Sequence, residues 1–132
     1  LIFNIIFIFI ISFILCYPFI FDNLYLGHDG LFHIGRLVDI SDAFNDGQLI
    51  PRIYPSFNNN FGYATPLFYC DLFLLPFGIL YHLGFSLISS FKLMLIFYST
   101  LSVILIFYVS SKIFVNKTYT SYISTILYTF AT

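Results

Sequence analysis

The chain has 132 residues, of which 60% are hydrophobic, 23% aromatic and 8% charged, and its net charge is −1. A soluble domain carries roughly a quarter charged residues, so the composition excludes an ordinary soluble domain and points to an integral membrane protein. The balanced charge excludes nucleic-acid binding by a basic surface. The two cysteines, Cys16 and Cys70, lack metal-type spacing and read as packing residues.

Residues 1–21 form an apolar run broken only by Asn4, Ser12 and Pro18. About 20 apolar residues cross the hydrocarbon core, so this run predicts a first span. It is too long for a signal peptide, and no small-x-small cleavage site follows it. Residues 22–69 are polar by contrast, with five of the six acidic residues and both arginines, and they predict a long first loop. Within it Leu31, Ile34 and Val38 recur at i, i+3 and i+7, while Asp29, His33, Arg36 and Asp39 recur on the other side. That pattern predicts an amphipathic helix over about residues 30–45, its apolar stripe suited to the membrane interface or the tops of the spans. Ile40 falls on the polar side. Asp46-Gly47 supplies a turn, and Pro51, Pro55 and three consecutive asparagines predict an irregular, aromatic-rich segment at the membrane surface. Apolar runs at 70–88 and 91–109 predict a second and a third span, and 119–132 the start of a fourth. The expected fold is all-α and polytopic. The absent initial methionine and the run at the end make the sequence read as a fragment of a single membrane domain.

The loop carries a resemblance. Asp29-x-x-x-His33-x-x-Arg36, then Gly47-x-Leu49-x-Pro51-Arg52, then the stretch from Phe61 to Tyr69 resemble the first extracytoplasmic loop of bacterial 6-pyruvoyl-tetrahydropterin synthase-related membrane domains. These look like relatives of YfhO-like proteins and of GT-C glycosyltransferases. The resemblance implies a GT-C-like N-terminal part of a cell-membrane, multi-pass enzyme with an extracytoplasmic first loop. It also implies a polyprenyl-phosphate-linked sugar as donor, a cell-envelope glycan as acceptor, and Asp29 as the base that deprotonates the acceptor. Many such enzymes carry a paired acid at this point, whereas Asp29 stands between His28 and Gly30. A non-enzymatic membrane protein that binds or translocates lipid-linked glycans is the alternative from another class.

Each candidate residue has a functional and a structural reading. Asp29 is a general base or a helix cap. His33 orients Asp29, shares a divalent metal with it or binds phosphate, or it is a simple helical partner. A two-residue metal site is underdetermined, so the cofactor stays open. Arg36 and Arg52 are phosphate-binding forks, or they snorkel to lipid or pair with Asp39 or Asp42. Asp71 is a second acid facing Asp29, or it caps the helix it opens. His82 reads as a packed or interfacial residue. Finally, with every span crossing once, Arg36, Arg52, Lys112 and Lys117 share one side against Lys92 on the other. The positive-inside rule then places the long loop in the cytoplasm, against the extracytoplasmic expectation carried by the resemblance.

Overall fold

A computed structural model describes residues 2–21, 27, 29–114 and 118–131. Among these residues the regular structure is helical, with no strand and one isolated antiparallel bridge, Tyr54 to Tyr63. The chain divides into two compact units: Leu1–Asn23 with Leu95–Thr132, and Leu24–Met94.

The first unit contains α1 (Ile2–Phe21), the larger part of a helix that runs over Leu87–Ile113, and a C-terminal helix over Thr118–Phe130. The 20 and 27 residues of the first two helices make both long and apolar enough to cross a membrane. Only 17% and 22% of their most apolar windows are buried. Phe7, Phe107 and Tyr122 bring the three helices together, Phe7 meeting Tyr122 edge-on at 4.7 Å between ring centroids. The Tyr122 hydroxyl donates to Asn4 Oδ1 at 2.5 Å, which satisfies the one amide inside α1.

The second unit is built on α2 (Gly30–Asn45) and a shorter helix over Leu75–His82. The two run in the same sense, because Arg36 meets Asp71, Ile40 meets Gly78, and Ser41 and Phe44 meet His82. Between them the chain turns at α3 (Phe57–Asn60) and α4 (Thr65–Phe68), so the shorter helix is α5, Leu87–Ile113 is α6 and Thr118–Phe130 is α7. In α3, Asn58, Asn59 and Asn60 all have positive φ, a conformation asparagine tolerates better than other side-chain-bearing residues.

Two sequence expectations are corrected. The side of α2 that is buried holds Arg36, Leu37, Asp39, Ile40 and Ala43, whereas Leu31 is 71% exposed. Ile40, on the side the spacing marked as polar, is fully buried against Gly78. Across 70–88 the chain forms only the eight residues of α5, roughly 12 Å at 1.5 Å per residue. That is short of the continuous span the apolar run predicts. Pro76 sits in the first turn of α5, and Gly84 at φ +101 ends it. There Gly84 N–H reaches Tyr81 O and Phe85 N–H reaches Leu80 O, which is the Schellman pattern.

Candidate functional site

The polar groups of the second unit converge on Arg36. The side chain is 3% exposed. Its Nε donates to Asp71 Oδ1 at 3.0 Å and its Nη2 forms an ion pair with the same oxygen. Nη2 also donates to the Cys70 carbonyl at 3.4 Å, and Nη1 lies 3.3 Å from His33 Nδ1. Phe32 and Tyr69 border the guanidinium, their ring centroids 5.5 and 5.7 Å from its carbon and 5.9 Å from each other. Phe32 in turn meets Phe57, which stacks on Tyr54. Several aromatics of the irregular segment thus wall in one cation instead of lying uniformly at a surface.

Tyr54 is fully buried. Its hydroxyl lacks a well-formed hydrogen bond but feels Asp71 and Arg36 closely. Burial is the main reason its pKa is pushed far above the ordinary phenol value, with Asp71 adding to the shift and Arg36 opposing it. The second oxygen of Asp71 is also buried without a partner among the described residues.

His33 occupies the rim. Burial first, and Arg36 second, lower its pKa, while Asp29 opposes them. Arg36 can only donate, so His33 Nδ1 accepts and the neutral ring carries its proton on Nε2. Asp29, exposed, is the residue before α2; its backbone carbonyl accepts His33 N–H at 3.1 Å. The Asp29 carboxylate makes no capping hydrogen bond to the helix. Asp29, His33, Arg36 and Asp71 therefore form a polar line from the rim inward.

Other candidates lie apart from this line. Arg52 is exposed, and among the described residues no hydrogen bond or ion pair joins its side chain to the cluster. Asp71 lies three residues before Leu74, the N-cap of α5, so it does not cap that helix, and it faces Arg36 and not Asp29. Arg36 pairs with Asp71 and not with Asp39 or Asp42. Asp39, 2% exposed, instead accepts from the backbone and hydroxyl of Ser56. His82 contacts Ser41 Oγ at 3.2 Å and the edge of Phe44. Among the described residues no three His, Cys, Asp or Glu side chains converge on a point that would hold a metal. Asp22 and His28 lie outside the described residues. No pattern along the chain singles out Tyr54, Phe32 or Tyr69, since each is one aromatic among many.

No family model matches the chain, and no solved structure matches it. Over 62 residues it is 36% identical to an uncharacterized protein of Lactococcus lactis subsp. cremoris (strain MG1363). The matched stretch is 47% of this chain and 10% of that protein, so the chain spans about a tenth of the relative's length.

Proposed function

We propose that this chain is part of a polytopic cell-membrane glycosyltransferase of the GT-C-like, YfhO-like kind. Such an enzyme takes a polyprenyl-phosphate-linked sugar and passes it to an envelope glycan. The observation that carries the reading is the rim of the polar line. Asp29 is an exposed carboxylate one turn before His33, a half-buried histidine whose Nδ1 lies 3.3 Å from Arg36 Nη1 and whose pKa Asp29 raises against burial and Arg36. In this reading Asp29 accepts the proton of the acceptor hydroxyl, and His33 Nε2–H donates to the donor phosphate or to Asp29. Arg36 positions His33 and Arg52 is the cation open to a lipid phosphate.

The shortness of α5 bears on topology. If α1 and α6 are consecutive crossings, residues between them lie on one side, and Lys112 and Lys117 move to the other. Arg36, Arg52 and Lys92 then stand against Lys112 and Lys117. The basic excess on the loop side falls from three residues to one, so the positive-inside rule opposes an extracytoplasmic loop less strongly.

A second reading has its own support. The guanidinium of Arg36 is fully engaged, as in a structural lock of a non-enzymatic protein that binds lipid-linked glycans. Asp29→Asn in the full-length protein separates the two. Membranes supplied with polyprenyl-phosphate sugars should lose transfer by roughly 100-fold or more, with insertion and protease resistance unchanged. Normal transfer by a folded, inserted variant would remove Asp29 from catalysis.

A further inference from the structure

The hairpin that follows α2 presents an apolar tip that the cluster around Arg36 does not use. Gln48 shapes one arm. Its Oε1 accepts Arg52 N–H at 3.0 Å and Ile53 N–H at 3.4 Å, and its Nε2 donates to Ile53 O at 3.3 Å. One side chain thereby stands in for the hydrogen bonds that residues 49–52 do not make among themselves. Pro51 and Tyr54 point inward and are buried. Leu49 and Ile50 point outward, 88% and 76% exposed. The other arm is held by the paired bonds Tyr54 N–H to Tyr63 O and Tyr63 N–H to Tyr54 O, at 2.9 and 3.0 Å. Ile53 packs against Gly62, where a Cβ would meet Ile53 Cγ2 at 3.0 Å. Next to Gly62, Phe61 is 91% exposed. Leu49, Ile50 and Ile53 are thus exposed along the first arm, and Phe61 beside Gly62 on the second.

We infer that this tip is a membrane-insertion finger for the bilayer surface, with Arg52 on the phosphates of anionic lipids. Two observations select lipid as the occupant. Residues 47–63 contain no acidic side chain, and Arg52 is their one charge, so the tip combines apolar penetration with a single cation as interfacial segments do. The unit is also joined through the chain at both ends to helices apolar enough to cross a membrane, α1 and α6, which holds the bilayer at high effective concentration. The inference is independent of any sugar transfer by Asp29.

The chain has no tryptophan, so a single introduced indole reports without background. Leu49→Trp and, separately, Phe61→Trp are placed in the full chain reconstituted in phosphatidylcholine–phosphatidylglycerol vesicles. Asn45→Trp serves as an exposed reference. Both tip reporters should lose most of their emission when the lipid acyl chains are brominated and be protected from aqueous iodide, whereas the reference should behave oppositely. Arg52→Gln should weaken the bromolipid quenching of Leu49→Trp in anionic vesicles, with little change in pure phosphatidylcholine. Iodide quenching of both tip reporters at the level of the reference would overturn the assignment. So would shielding from both quenchers, which would mean that protein and not lipid covers the tip.

Discussion

The Arg36 guanidinium is removed from water, paired with Asp71 and bordered by two aromatic rings, and that dictates how it responds to substitution. Arg36→Ala leaves the Asp71 carboxylate buried without its counter-charge, a loss of about 3–5 kcal/mol for a pair of this kind. Arg36→Lys keeps the charge but not the fork, so it should recover only part of the loss. Arg36→Met combined with Asp71→Leu should recover more than the lysine, because the desolvation of both charges disappears together. Thermal unfolding of the full chain in detergent, followed by helical circular dichroism, ranks the three. Asp39 is the acid-range counterpart. Burial, with a contribution from Asp42, raises its pKa against the opposing hydrogen bonds from Ser56. The folded chain then holds this proton more tightly than the unfolded chain does. Its contribution to stability is full below the ordinary carboxylate range and is lost as pH rises through the raised value. Asp39→Asn keeps an acceptor oxygen for Ser56 and should flatten that part of the curve of melting temperature against pH. A slope that survives the substitution would assign the titration to another group.

At the level of elements, α2 and α5 fit through a glycine. A Cβ at Gly78 would meet Ile40 Cγ2 at 2.5 Å and Cβ at 2.9 Å, both on a short branched side chain. Gly78→Ala should therefore lower stability by about 1–3 kcal/mol through overpacking. Ile40→Ala in the same chain removes Cγ2 and should return part of it, which denaturant titration of single and double variants would reveal as non-additivity. This contact also explains what the sequence withheld. The spacing of Leu31, Ile34 and Val38 is helical, and a helix covers that stretch. Which side faces inward could not be read, because periodicity counts a charge as outward. Arg36 and Asp39 turn inward once Asp71 and Ser56 meet them, and they carry Leu37 and Ile40 with them. Both partners lie far along the chain, where no local pattern points to them. The apolar run at 70–88 hid the opposite case, since hydropathy does not register that Pro76 and Gly84 bound a short helix.

For the molecule as a whole, composition alone carried the class of the helices, because α1 and α6 are as long and apolar as a bilayer requires. In the topology proposed above, the side of the polar unit follows from the count of basic residues at the two ends of α1 and α6, which is why the length of α5 matters more than its sequence. Cys70 is exposed and Cys16 is buried, so a Cys16→Ser chain offers one thiol in the polar unit. With the extracytoplasmic topology proposed above, a membrane-impermeant maleimide should label Cys70 in intact cells. Labelling that requires permeabilisation would put the unit in the cytoplasm.

The unequal fates of the two arginines have a consequence for proteolysis. Trypsin needs an extended stretch of accessible backbone around its arginine. Arg36 lies within α2 with its side chain enclosed, while Arg52 lies in an exposed turn between two proline-flanked arms. A folded polar unit therefore offers the protease one arginine and an unfolded unit offers both, so the digestion pattern itself reports whether the cage around Arg36 has closed.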